Sequence, residues 1–273
     1  NDYLLMTGAG AYWHDRDLLN ASLPENKSIS IADVTRDLAT LLVTGPKSPA
    51  ILAAVTSQTT STEDFPWLSH QKVRIAGSEV TAIRVSYAGE AGFELHCNMG
   101  DVVSVYDSVL AAGVVHQLRP FGMLALDSMR LEKGYRSWKA DLTSDYTMLE
   151  SGLGRWVNFN KEDFVGRAAL QSESQAGSGR EFVTLVLDDP EDDGPFGEAV
   201  YLSSVVIDGA DAGLVVSSGY GHRVGASIAM AVVDRKALKS GSDISVNVLG
   251  RPRRATLVEG HVLYDPENIK MKG

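Results

Sequence analysis

A single cysteine, Cys97, stands in a chain of 273 residues. An intrachain disulfide is therefore excluded, and so is a zinc site built from several cysteines. The lone thiol fits a reducing compartment. Basic residues are also in deficit: 25 Lys and Arg face 35 Asp and Glu, giving a net charge of −10. A chain of that sign is repelled by polyphosphate and by anionic bilayers, so neither nucleic acid nor a membrane is expected as its main partner. No apolar run approaches the roughly 18 residues of a membrane span. The N-terminus lacks the basic start, apolar stretch and small-residue cleavage site of a signal peptide. There is no Gly-Lys-Ser/Thr phosphate loop and no His-Glu-x-x-His. The six histidines, His14, His70, His96, His116, His222 and His261, never pair at metal-ligand spacing, so no metal is expected. Gly8-Ala9-Gly10 is a fragment of a dinucleotide fingerprint whose third glycine is replaced by Trp13.

What is present is enough for a packed core. At about 150 residues per domain the length corresponds to about two domains. The apolar run Tyr3–Met6 predicts a buried strand, and a strand at the very start implies that preceding structure is missing. A short helix is expected over Tyr12–Leu23, a loop over Pro24–Ser28, and strands over Ser30–Val34 and Leu38–Thr44, the second stopped by Gly45-Pro46. A helix over Lys47–Val55 follows, with Ser48 as a cap ahead of Pro49. Val73–Ala76 and Val80–Ser86 flank Gly77-Ser78 as a hairpin, and Phe93–Cys97 is a further strand. Helices over Val102–Ala112 and Pro120–Lys133 end at Gly113 and Gly134. Beyond Gly152, Arg155–Phe159 alternates like a strand, Phe164–Leu170 opens a helix, and Ser172–Gly179 has the composition of a linker. Six β-rich runs then recur at short spacing: Phe182–Leu187, Val200–Ile207, Gly213–Ser218, Ile228–Val233, Ile244–Val248 and Ala255–Tyr264. The expected organisation is an α+β core over residues 1–170, in two subdomains with its front part missing, and a small antiparallel β-barrel or sandwich over 178–273.

Two stretches carry chemistry. In Val85–His96, two glycines bracket two acids between strands, so Tyr87 and Glu94 are expected to converge on one pocket. A carboxylate accepts two parallel N–H bonds from an aminopyrimidine-like edge, and a tyrosine offers a flat face with a polar tip. The same residues also fit an ordinary turn with a solvated Glu90. In Leu126–Trp138, Arg130, Lys133 and Arg136 gather positive charge at a helix end. That pattern fits complementary charge at a helix C-terminus, and equally a pocket for an anionic tail.

These stretches resemble the aminomethyltransferase family, the folate-binding T-protein of the glycine cleavage system, and within it the C-terminal folate domain of dimethylglycine and sarcosine dehydrogenases. The carrying segments are Ser86–Glu94, Asp127–Arg136, Glu150-Ser151-Gly152-Leu153-Gly154 and Asp163–Leu170, with Ser218–His222 and Gly225–Ala229 near the end. In order and spacing they cover nearly the whole chain. The resemblance implies a three-subdomain, cloverleaf-like α+β fold ending in the barrel, here truncated at its N-terminus. It implies one-carbon transfer from an N-methyl amine such as dimethylglycine or sarcosine to tetrahydrofolate, with FAD held on an upstream domain or subunit and not by this chain. It implies a cytoplasmic location, or the mitochondrial matrix in a eukaryote. Tyr87 falls on the family's folate-contacting tyrosine and Glu94 on its pterin-binding glutamate; Leu95 and His96 lie beside it. Arg155 takes the place of a folate-lining aromatic, where a guanidinium can stack on a ring or pair with a glutamyl tail. Leu126 replaces a ligand-binding arginine of the glycine-cleavage enzymes. The family's catalytic aspartate would lie upstream of Tyr3, and Asp2 is out of register, so no catalytic residue is assigned. The alternatives are a tetrahydrofolate-dependent demethylase, a glycine cleavage T-protein, or a non-catalytic folate-binding scaffold. The scaffold relatives carry Lys-Gly-Cys-Tyr where this chain has Lys133-Gly134-Tyr135.

Overall fold

The computed structural model describes residues 2–188 and 198–272. Strands β1 (Leu38–Thr44), β2 (His70–Ile75), β3 (Ser78–Ile83) and β4 (Gly92–Asn98) form one antiparallel sheet in the order β1-β4-β3-β2. Alternate residues point to opposite faces of a strand. Val43, Val73, Ile75, Val80, Phe93, Leu95 and Cys97 therefore share one buried face. Helices α2 (Ser48–Val55) and α3 (Val102–Gly113) cover that face with Ile51, Leu52, Val105 and Val109. The β2–β3 turn uses Ala76 and Gly77, both at positive φ, which matches the twist of a two-residue hairpin.

Further helices are α1 (Tyr12–Ala21), α4 (Met123–Glu132) and α5 (Arg167–Ala176). The second half of the chain is a closed antiparallel barrel. Its strands are β5 (Arg180–Leu187), β6 (Ser204–Ile207), β7 (Ala210–Gly221), β8 (Ala226–Asp234), β9 (Ile244–Val248) and β10 (Arg251–Leu257), in the order β10-β5-β8-β7-β6-β9. Val183, Leu185, Val205, Val215, Ala229, Ala231, Val233 and Val246 fill the interior. Strand β8 is buried on both faces. Its other side, Ile228, Met230 and Val232, packs with Phe182, Val216 and Leu131 of α4. This is why it reads as an unbroken apolar run, and it is also how the barrel is joined to the first half. A short helix, α6 (Ile269–Lys272), ends the described chain.

Several expectations fail locally. Tyr3–Met6 is not a strand: no strand among the described residues pairs with it, and Tyr3 is 89% exposed. Ser30–Val34 also forms no strand. Arg155–Phe159 does not form one either; Gly152, at φ 67°, turns the chain into a single 3₁₀ turn at Gly154–Trp156. The supposed linker Ser172–Gly179 is mostly the end of α5, because its Gln, Glu and Ala favour helix, and only Gly177 at φ 83° breaks it. Ser48 caps nothing; its hydroxyl donates to the Ala91 carbonyl at 2.9 Å. No helix among the described residues is long and apolar enough to cross a membrane.

Candidate functional site

The loop between β3 and β4 holds Tyr87 and is clamped from several sides. Its Ala91 carbonyl accepts the Gly45 N–H at 2.8 Å in addition to the Ser48 hydroxyl. Gly89, at φ 75°, lies against the Lys133 stem, where a methyl group would come within 3.0 Å of it. The Tyr87 hydroxyl donates to the Arg136 carbonyl at 3.2 Å. Its ring lies nearly parallel to that of Tyr135, 6.0 Å away at 6°. Burial pushes both phenols above their ordinary value; the charge of Arg130 opposes this for Tyr87, and that of Arg155 for Tyr135.

Glu94 and His96 occupy alternate positions on β4 and so share a face. His96 is held by Thr40 of β1, its Nδ1 lying 3.0 Å from the Thr40 hydroxyl, while its Nε2 lies 3.2 Å from Glu94 Oε2. The imidazole is almost fully buried, whereas the Glu94 side chain keeps 33% of its surface open. Among the described residues no Lys or Arg pairs with Glu94. The carboxylate is thus oriented from one side and open on the other, an arrangement suited to a ligand with paired N–H donors.

The other site residues divide. Leu95 points the opposite way into the sheet's core at 0% exposure, so its side chain does not join Glu94 and His96. Period-2 alternation decides this. Arg155 sits exposed on the 3₁₀ turn, its guanidinium 5.2 Å from the Trp156 ring centroid; its charge opposes the burial that raises the Tyr135 pKa and adds to the burial that lowers that of Arg136. Tyr87 lies within the β3–β4 loop and Glu94 is the third residue of β4, and the two have different hydrogen-bond partners.

The three-cation pocket is largely internal pairing. Arg130 is buried and bonded to Asp127 and Asp141 at 2.6 Å and to Ser217 at 2.9 Å. Lys133 is buried against the Asp265 carboxylate at 3.4 Å. Burial lowers its pKa although Asp265 opposes the shift. Arg136 differs. It stacks on Phe182 at 4.1 Å, makes one long bond to the Gly134 carbonyl at 3.4 Å, and leaves its Nε buried without a partner. Burial brings it down to about 10; Asp141 opposes that shift and Arg155 adds to it.

Tyr135 lies inside a motif the sequence exposes, yet only the fold shows it stacked on Tyr87. Arg223, which touches the Tyr87 loop from the barrel, has no local sequence signal at all. No metal-binding group of His, Cys, Asp and Glu exists among the described residues. Gly8-Ala9-Gly10 follows no strand and enters a single 3₁₀ turn, and both sheets are antiparallel. A dinucleotide cradle at the end of a parallel strand therefore has no counterpart at Gly8-Ala9-Gly10.

Comparison with known proteins agrees with this architecture. The GCVT N-terminal domain family matches residues 1–161, and the glycine cleavage T-protein C-terminal barrel domain matches 180–265. Rat dimethylglycine dehydrogenase is 32% identical over 99% of this chain, which spans 31% of that protein. Human sarcosine dehydrogenase is 34% identical over 99% of the chain and 30% of its own length. The chain thus spans about a third of either dehydrogenase. The aminomethyltransferase of Caldanaerobacter subterraneus subsp. tengcongensis is 30% identical over 95% of the chain and 67% of its own length. The crystal structure of the glycine cleavage system aminomethyltransferase T from Bartonella henselae superposes with a TM-score of 0.75 at 22% identity, covering 93% of this chain and 67% of that one, which shows a common fold. With both halves matched in order, the chain belongs to the glycine cleavage T-protein family, as an enzyme-type domain of the aminomethyltransferase kind.

Proposed function

We propose that this chain binds tetrahydrofolate and serves one-carbon transfer from an N-methyl amine, such as dimethylglycine or sarcosine, within a flavin-dependent amine dehydrogenase or oxidase. The observation that carries the reading is Glu94: an accessible carboxylate, oriented by buried His96 and without a Lys or Arg partner among the described residues. Such a group fits the aminopyrimidine edge of a pterin through two parallel charge-assisted hydrogen bonds. Tyr87 and Tyr135, stacked and fixed by the Arg136 carbonyl and the Met271 sulfur, supply rigid aromatic surface to the site. When bound, tetrahydrofolate supplies the nitrogen nucleophiles that accept the one-carbon unit. The chain's own residues bind and orient: Glu94 holds the polar edge, His96 holds Glu94, and the tyrosine pair excludes water from one side. We assign amine oxidation, and the FAD it uses, to another domain or subunit. The names of the two dehydrogenase relatives support that partnership and a mitochondrial-matrix location in a eukaryote; a cytoplasmic location is proposed otherwise.

The test is turnover. Dimethylglycine or sarcosine is supplied with tetrahydrofolate, with and without the flavin partner, and methylenetetrahydrofolate is measured. Formation that needs both folate and flavin is expected. Methyltetrahydrofolate formed without flavin, by direct methyl transfer, would indicate a demethylase instead, and methylenetetrahydrofolate formed no faster than free formaldehyde condenses with folate would refute the proposal.

A further inference from the structure

Arg223 lies in the β7–β8 loop of the barrel, yet its side chain is spent on the first half of the chain. Its guanidinium Nε pairs with Glu132 at the end of α4, and its backbone N–H donates to the other oxygen of Glu132 at 2.6 Å. Nη2 donates to two carbonyls, that of Met129 on α4 at 2.9 Å and that of Ala88 at 3.0 Å. Nη1 reaches Glu90 at 3.2 Å. The Tyr264 ring closes the last side, its centroid 3.8 Å away, and its hydroxyl donates to the same Glu90 oxygen. Glu132 is fully buried, and Gly221 makes room for it: a methyl there would lie 2.9 Å from the Glu132 Cγ. One planar fork thus ties together the barrel loop, the end of α4, the C-terminal segment and both residues flanking Gly89. Ala88 is the residue directly after Tyr87.

We propose that Arg223 is a positioning residue for the folate site: by holding the Ala88 carbonyl and Glu90 it fixes the loop that presents Tyr87. This rests on the folate reading given above. The argument is geometric. Glu90 and the Ala88 carbonyl bracket Gly89, a left-handed position with little intrinsic preference, so the loop needs external bonds to adopt one conformation. The bonds that hold its far end, at Ala91, come from Gly45, just after β1, and from Ser48 of α2; the Ala88 carbonyl and Glu90 are held by Arg223, with Tyr264 sharing Glu90. Lysine cannot substitute, because a single ammonium cannot reach two carboxylates and two carbonyls on separate elements at once.

The experiment is a double-mutant cycle on tetrahydrofolate affinity in the full chain, using wild type, Arg223→Ala, Tyr87→Ala and the double variant. Arg180→Ala is the control, since it breaks another ion pair between the barrel and the core, Arg180–Glu150, away from the Tyr87 loop. Arg223→Ala is expected to raise Kd about tenfold, with Arg223→Lys recovering only part of the loss, and in the Tyr87→Ala background the effect should shrink to about threefold or less. Arg180→Ala should leave Kd unchanged. If wild type binds folate but Arg223→Ala does not weaken it, or Arg180→Ala weakens it equally, or the two losses simply multiply, the positioning role is overturned. Absence of saturable binding by wild type overturns the folate reading instead. Should Arg223→Ala not fold, Arg223→Lys and Glu90→Gln provide the same cycle.

Discussion

Gly134 is where helix α4 gives way to the Tyr135–Arg136 segment, and replacing it with alanine tests how tightly that segment is held. Gly134 has a φ of 71°. A methyl group on it would lie 2.4 Å from the His261 carbonyl oxygen, about 1 Å short of an ordinary C···O contact. Both atoms are fixed to the backbone, so no side-chain rotation relieves the clash. The same carbonyl accepts a hydrogen bond from Thr184 Oγ1 at 3.2 Å, which a displacement would stretch or break. The left-handed conformation costs alanine about 1–2 kcal/mol. Shifting backbone in a packed region costs about 1–3 kcal/mol, and the lost hydrogen bond about 1 kcal/mol. The expected destabilisation is therefore about 3–6 kcal/mol. Gly250 is the internal control. It has a φ of 84°, and a methyl carbon added there would meet nothing within 4 Å, so Gly250→Ala should show only the conformational cost of about 1–2 kcal/mol. Urea unfolding of the two variants against wild type measures the difference. Equal destabilisation would refute the argument that close packing against His261, rather than φ alone, demands glycine at 134.

Lys133→Met should destabilise the protein by about 3 kcal/mol, because it strands the buried Asp265 carboxylate. Burial works to raise the Asp265 pKa, but the N–H groups of Lys270 and Met271 and the charge of Lys133 outweigh it and hold the pKa low. Stability contributed by Asp265 is therefore present at neutral pH and lost as pH falls through its folded pKa; without Lys133 that loss should begin at a higher pH, which unfolding at a series of acid pH values would show. His261 behaves in the opposite sense. Burial, and then the nearby charge of Arg136, lower its pKa from the ordinary 6.5. The unfolded chain then takes up the proton first, so stability should fall as pH drops below about 6.5, and His261→Gln should flatten that part of the pH–stability curve. Tyr87→Phe removes only the bond to the Arg136 carbonyl; unfolding should show a loss of about 1 kcal/mol.

Much of the fold is written in local pattern. Val183, Leu185 and Leu187 on β5 alternate into the barrel, and the two-sided burial of β8 shows as a continuous run from Ile228 to Val233. Glycine marks a real ending at Gly134, whereas at Gly113 the chain stays right-handed and passes into a 3₁₀ turn that stops at Gln117. The failures occur where pattern has no partner. Tyr3–Met6 has strand composition but no neighbouring strand, and Ser172–Ala176 has linker composition but completes a helix. The site follows the same division. Alternation along β4 places Glu94 with His96 and sends Leu95 into the core, a separation already implicit in the spacing. Arg130, beyond its bond to Asp127 one turn back, and Lys133 and Arg223 altogether, cannot be understood locally. Their carboxylates, Asp141, Asp265 and Glu132, lie 11, 132 and 91 residues away, and only the closed fold shows two of the three clustered cations neutralised and Arg136 left without a carboxylate partner among the described residues.

The central claim is that Glu94 is the ligand-facing carboxylate of a folate site, and an equilibrium titration with tetrahydrofolate tests it most directly. Wild type should bind saturably. Glu94→Gln keeps the shape but loses the charge and one acceptor, and should weaken binding by about 1–3 kcal/mol, a factor of roughly five to more than a hundred, while leaving thermal stability close to wild type. No saturable binding by wild type, or equal affinity in wild type and Glu94→Gln, would contradict the account.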